Sequence, residues 1–413
     1  MWLINTTTLR LEFVLKPESQ PYAILSHTWE EEEVTFQEMA NLEMAQKKKG
    51  FMKIKKTCQL AQERQPPLLY AWVDTCCIDK TSSVELAEAI NSMFAWYKKA
   101  TVCFAFLSDF TAHEPVNPDP LLPHCRWFTR GWTLQELIAP KIVEFYDSVW
   151  NPHGTKSERR DEIADITGVA SKVLDDSDLL HNVSVGARMS WASGRQTSRD
   201  EDMAYCLLGI FNVNMVMIYG EGAKAFIRLQ EEIMKDSNDM TLFAWCSDDS
   251  SQLYRGILAR SPSEFEFCRD VVRSDDFDTM NKEYMLTNNG LRIETNLAKD
   301  NVLEIGLLDR SHRLGIGTYL RKTPNGFVRH GPPTIYFLSR GDYRQRTGKQ
   351  STIYIRKDIT AEDSKLLKDQ LDCNVKVLFR LSGNVEVNIL RAHPSPFWDR
   401  LSYVEPAMGT WDS

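Results

Sequence analysis

What this 413-residue sequence lacks narrows its class before any motif is read. No run of about 18 apolar residues occurs, so no membrane-spanning helix is expected. The opening Met1-Trp2-Leu3-Ile4-Asn5 has neither a charged start nor a long apolar stretch after it, and does not read as a secretory signal. The nine cysteines contain no CxxC pair and no zinc-ligand spacing. They are odd in number, scattered and mostly set in apolar runs, which predicts reduced, buried thiols in a cytoplasmic protein. No GxxxxGK(S/T) motif is present, so no P-loop nucleotide site is expected. Positive charge is not in excess: the net charge is −8, which argues against binding along a nucleic-acid backbone. No internal repeat and no low-complexity tract stand out.

What is present is ample core-forming material. The chain is 43% hydrophobic, with 11 Trp and 19 Phe, and is long enough for two or three domains. Residues 1–155 alternate short apolar runs with amphipathic stretches. Tyr22–Ser26, Leu68–Asp74, Thr101–Leu107 and Ile142–Tyr146 read as buried strands. Between the first two runs a helix carries Ile54, Cys58 and Ala61 on one face. Between the second and third, Leu86, Ile90, Met93, Phe94 and Tyr97 form a helical stripe, with Ser82 and Glu85 placed as a capping box. A Pro-rich loop spans 115–123, and a short helix lies around Leu134–Ile138. Alternating strands and helices predict a largely parallel sheet covered by helices. Residues 156–245 read as helical, with a second capping box, Ser198 and Glu201, before a helix over Met203–Ile210 and a further helix through Phe226, Leu229 and Ile233. Residues 246–413 change to short alternating strands and turns, such as Asn289-Gly290, Pro324-Asn325-Gly326 and a hairpin of 375–381 with 385–390. An antiparallel β-rich domain is expected there.

In an open parallel sheet, ligands bind beyond the carboxyl ends of the strands. Polar and aromatic residues gather at those ends here. The first strand runs into Ser26-His27-Thr28-Trp29, the second into Asp74-Thr75-Cys76-Cys77 and the third into Ser108-Asp109, while Trp132, Gln135 and Glu136 lie on the short helix. One crevice collecting a hydroxyl, an imidazole, carboxylates and indoles suits a nucleotide-like ligand. Each residue also has a structural alternative. Thr133-x-x-Glu136 has capping-box spacing, Glu85 caps with Ser82, Asp74 can close a turn, and Cys76 and Cys77 pack readily. Arg126 and Arg130 suit either a diphosphate or a salt bridge.

Three runs carry a family resemblance. They are Tyr22-Ala23-Ile24-Leu25-Ser26-His27-Thr28-Trp29, then Trp72-Val73-Asp74-Thr75-Cys76-Cys77-Ile78-Asp79-Lys80, then Arg130-Gly131-Trp132-Thr133-Leu134-Gln135-Glu136-Leu137-Ile138-Ala139-Pro140. A follow-on segment includes Asp202–Phe211 and Tyr219-Gly220-Glu221-Gly222. Together they resemble the fungal heterokaryon-incompatibility (HET) domain over roughly residues 20–240. That domain is in turn similar to Toll/interleukin-1 receptor (TIR) domains, which are flavodoxin-like and several of which hydrolyse NAD. Their catalytic Glu sits in a Trp-Cys-Leu-x-Glu-Leu run, matched here by Trp132-Thr133-Leu134-Gln135-Glu136-Leu137, with Thr133 replacing the Cys and the Pro-rich loop inserted before it. The resemblance implies a self/non-self recognition protein that triggers cell death. It implies NAD or a related nucleotide as substrate rather than cofactor, no metal, and Glu136 as catalyst. Ser26, His27, Trp29, Asp74, Cys77, Arg130 and Trp132 would line the site. Self-association or a partner incompatibility protein would switch it on. The rival expectation is a non-catalytic signalling module built on the same surface.

Overall fold

Two strands precede the first expected one: Trp2–Asn5 (β1) and Leu11–Phe13 (β2). The computed structural model describes residues 1–16, 19–111, 122–247, 252–273, 283–297, 301–307, 315–330, 336–338 and 351–372. Most of the expected Pro-rich loop, and the hairpin expected over 375–390, lie outside the described residues. The chain divides into two compact units, the first holding Met1–Trp245 and Ala259–Arg273, the second holding Cys246–Leu258 and the described residues from 283 onward.

The apolar runs become the strands Tyr22–His27 (β3), Tyr70–Trp72 (β4), Val102–Phe106 (β5) and Val143–Tyr146 (β6), followed by Pro152–Thr155 (β7). Every residue of β3 and β5 is buried, as continuous apolar strands covered on both faces must be. The seven strands run in the order β2-β1-β4-β3-β5-β6-β7. The central four are parallel, with Ile24 opposite both Trp72 and Cys103, and Cys103 opposite Val143. By chain order these four lie 2-1-3-4. The edges are antiparallel: β1 pairs with β4, and β7 with β6. A parallel core with antiparallel edges therefore replaces the largely parallel sheet expected.

Leu42–Ala45 (α1) is followed by Phe51–Gln62 (α2), which buries Ile54, Cys58 and Ala61 against the sheet. Ser83–Lys99 (α3) begins where expected. Ser82 Oγ accepts from Glu85 N at 3.3 Å, and the Glu85 carboxylate accepts from Asp79 N at 3.1 Å. Glu85 thus serves the helix start. Lys98 and Lys99 sit in the last turn, where cations suit the helix dipole. Arg126–Thr129 (α4) and Thr133–Ile138 (α5) follow, and all six residues of α5 are buried.

The stretch to 245 is helical in short pieces: Arg160–Thr167 (α6), Ser171–Asp175 (α7), Val185–Ser190 (α8), Asp202–Tyr205 (α9), Leu208–Phe211 (α10) and Lys224–Asp236 (α11). The second capping box does not form. Glu201 turns away and accepts from Gly220 N at 2.7 Å and Gly222 N at 2.9 Å, and the expected helix splits into α9 and α10. Among the described residues of the second unit, eight strands form a branched sheet that is mostly antiparallel, with one parallel pairing at Phe327 and Ile355. Two tight hairpins close where Thr287 faces Gly290 and Thr323 faces Gly326, as the Asn-Gly turns predicted. A helix, Ala361–Asp372 (α12), ends the described residues.

Candidate functional site

Alternation along β3 sends Ser26 and His27 to opposite faces of the sheet, and each becomes the hub of a separate polar cluster. On one face Ser26 Oγ accepts from the indole of Trp127 at 2.7 Å and donates to Glu136 Oε2 at 2.5 Å. Ser26 and Trp127 are fully buried, and Glu136 is 7% exposed. Tyr97, whose hydroxyl donates to Leu25 O at 3.0 Å, also meets the Glu136 carboxyl. Burial dominates and pushes that carboxyl up to about 8, with the nearby charge of Asp74 adding to the rise. Hydrogen bonding with Ser26 and Tyr97, and the charge of Arg130, act the other way. Glu136 is therefore a neutral acid around pH 7. The capping alternative for it fails on geometry: Trp132, not Thr133, precedes α5, no side chain caps that end, and Thr133 Oγ1 lies 2.5 Å from Trp127 O and 2.9 Å from Arg130 O. The far end of α5 is closed by Lys156, whose Nζ donates to Leu137 O at 3.2 Å and Pro140 O at 2.5 Å. Burial lowers that ammonium to about 8.

On the other face His27 lies between Lys53 and Asp74. Lys53 Nζ is 3.2 Å from His27 Nδ1, and Asp74 Oδ1 is 3.1 Å from Nε2. Lys53 also pairs with Glu33 at 2.5 Å and Glu30 at 3.3 Å. The Trp29 indole donates to Asp74 Oδ2 at 2.7 Å, and Lys80 Nζ lies 3.7 Å over its ring. Burial raises the Asp74 carboxyl, but the hydrogen bond and charge of His27, the charge of Lys80 and the Trp29 indole outweigh it and hold the group at about 2. Trp29 is 51% exposed, a ring fixed at its nitrogen and open to solvent.

The remaining candidates sit elsewhere. Cys77 is buried, its thiol accepting from Val73 N at 3.4 Å inside the turn after β4. The Trp132 indole turns to Asp202, which also accepts from the Tyr219 hydroxyl at 3.0 Å. Arg130 reaches Ser198 Oγ at 3.4 Å, and Arg126 reaches Glu30 at 3.3 Å and Ser108 at 3.2 Å. Sequence reasoning missed Tyr97, Trp127, Lys53, Lys156 and Arg195. Tyr97 was read as part of an apolar helical stripe, and a signal for the others exists only once the fold juxtaposes them. Among the described residues no cluster of His, Cys, Asp or Glu has the geometry to hold a metal ion, and the eight described cysteines are free thiols. No helix among them is long and apolar enough to cross a membrane.

A mixed α/β domain, with its polar groups gathered at the carboxyl ends of parallel strands and on the short helix beside them, is the class that fold and site define. Residues 22–121 match the family described as heterokaryon incompatibility protein (HET), and residues 224–255 match a domain of unknown function (DUF8212). The chain is 46% identical over 224 residues to the vegetative incompatibility protein HET-E-1 of Podospora anserina, across 52% of this chain and 16% of that protein. It thus spans about 16% of that relative's length. The HET-family match and the stretch shared with that relative both fall on this chain at substantial identity, and the family match lies in the N-terminal α/β region. No solved structure matches the chain.

Proposed function

We propose that the chain is a heterokaryon (vegetative) incompatibility protein, a cytoplasmic self/non-self recognition factor that triggers regulated cell death by hydrolysing NAD. The HET match and the vegetative incompatibility relative support the first part. The observation that carries the second is the Ser26–Glu136 contact of 2.5 Å at the carboxyl end of β3. Parallel order 2-1-3-4 is that of flavodoxin-like sheets, the class to which TIR domains belong, and the ligand crevice of such sheets opens where the order reverses. Here that point lies between β3 and β5.

The chemistry follows from a buried neutral acid meeting a cationic substrate. The nicotinamide ring of NAD is positively charged, and its arrival favours the ionised form of Glu136. The proton then leaves at little cost, because burial has already set its loss near pH 8. The carboxylate stabilises the ribosyl oxocarbenium ion as the C–N bond breaks and its electron pair departs on neutral nicotinamide. Water adds to the anomeric carbon and releases a proton, giving ADP-ribose. Arg126 and Arg130 offer charge to the diphosphate.

A second reading has an observation of its own. Glu136 is 7% exposed and knit to Ser26 and Tyr97, as an acid that only holds a fold together would be. In that case the unit is a non-catalytic module that contacts copies of itself or a partner. Expression of the full chain in a filamentous fungus, beside the Glu136→Gln variant, separates the two. Death with a falling NAD pool, abolished by the variant, supports hydrolysis. Death with NAD intact in both strains overturns it and favours the interaction module.

A further inference from the structure

Arg195 lies outside residues 22–121, the stretch that matches the HET family, and in none of the runs that carry the resemblance. Its side chain is 6% exposed. Nε donates to Trp191 O at 3.2 Å, and Nη1 donates to Arg130 O at 2.8 Å and Thr133 Oγ1 at 3.0 Å. Nη2 is buried with no hydrogen-bond partner. All three acceptors are neutral, and among the described residues no carboxylate pairs with the guanidinium. A buried cation in that state is costly, and a neutral donor would serve the two elbow acceptors as well.

The residues around Arg195 are laid along the elbow between α4 and α5. Gln196 N donates to Thr129 O at 2.7 Å, Gly131 N donates to Gln196 O at 2.8 Å, and Arg130 reaches Ser198 Oγ at 3.4 Å. The approach requires glycine at 131, where a Cβ would stand 2.5 Å from Thr197 Cγ2 and 3.1 Å from Cys206 Sγ. Thr133, held by Arg195, is three residues before Glu136, so the two are neighbours on one face of α5. The strap therefore grips the turn that aims the carboxyl.

Around Glu136 the polar and charged groups are Ser26 and Tyr97 in contact, Cys103 from β5, Asp74 beyond β4, Arg130 at the elbow and Arg195 on the strap. Among these groups the two arginines are the cations, and the Lys156 ammonium closes the far end of α5 at Leu137 O. We propose that Arg195 is a positioning residue for Glu136: its guanidinium fixes the elbow that carries the carboxyl and supplies the counter-charge for the carboxyl's ionised form. This rests on the reading of Glu136 as the working carboxylate. The cost of burying an unpaired guanidinium is the expense of a site that must hold a carboxylate only during turnover.

Infrared difference spectroscopy of the purified full chain, titrated with pH, tests this. The protonated-acid band that Glu136→Gln removes is assigned to Glu136, and its midpoint is followed in Arg195→Gln and Arg195→Lys. Loss of the cation raises the midpoint by about one pH unit in Arg195→Gln. Arg195→Lys raises it by less, since an ammonium keeps the charge but lacks the Nε bond to Trp191 O that fixes the guanidinium in place. Midpoints unchanged in both variants overturn the proposal, whatever stability they lose. If Arg195→Gln does not fold, the Arg195→Lys midpoint decides alone. The measurement follows a carboxyl and uses no NAD, so a chain that hydrolyses none can still show the coupling, and an active chain can fail to.

Discussion

Replacing Glu136 by Gln should change how stability depends on pH more than it changes stability at any single acidic pH. Gln keeps the size of the side chain and still accepts from Ser26 Oγ, now 2.5 Å from the carboxyl oxygen. What it removes is a proton equilibrium. Burial raises the Glu136 carboxyl from its ordinary 4.5 to about 8, so between those values the folded protein keeps a proton that the unfolded chain releases. Stability that depends on this proton is fully present below 4.5, declines as pH rises, and is gone above about 8. The gap of ~3.5 pH units at about 1.4 kcal/mol per unit corresponds to a loss on the order of 5 kcal/mol across the window. The variant carries no such slope. Urea unfolding of both proteins at intervals across that window should show Glu136→Gln gaining on the wild type as pH rises. Parallel stability curves would refute the buried neutral acid, and with it the explanation of why the carboxyl is poised.

Three more substitutions probe the same region. Ser26→Ala strands the Trp127 indole and one Glu136 oxygen in the core. It should cost about 1–3 kcal/mol in urea unfolding and move the Glu136 infrared midpoint upward, because the Ser26 bond is what holds it down. Asp74→Asn removes a carboxyl held at about 2 against an ordinary 3.8. Wild-type stability supported by Asp74 is present above 3.8 and lost as pH falls through about 2, a change of roughly 2 kcal/mol that the variant should not show in acid unfolding. Gly131→Ala forces the Arg195–Ser198 strap off the elbow and should cost about 1–3 kcal/mol by chemical unfolding.

The parts of the fold legible in sequence were those with a period or a long apolar run. The stripe through Ile90, Met93 and Tyr97 marked α3, and Ser82 marked its start, because capping and burial both act locally. The edge strands β1, β2 and β7 escaped notice. They are three or four residues long, and they are strands only because a neighbour offers an edge: β4 to β1, β1 to β2 and β6 to β7. The split of the expected helix over Met203–Ile210 has a similar cause, since Glu201 finds two glycine amides about twenty residues away. At the site, Ser26 and Glu136 were legible as strand-end and motif residues. Their contact spans 110 positions and could not be read from either segment. Trp127 and Arg195 lie in no motif and in no periodic stripe. Their meaning depends on a turn of chain that brings α4, α5 and the strap together. The single crevice expected from the strand ends is instead two clusters, because consecutive residues of a strand face opposite ways.

The most direct test of the account is a product measurement on the purified full chain. Nicotinamide and ADP-ribose are quantified after incubation of concentrated protein with NAD, for the wild type and for Glu136→Gln. The account predicts equal amounts of the two products from the wild type, many per protein molecule, and none above background from the variant. Equal turnover by both proteins, or none by the wild type at any concentration, would contradict it.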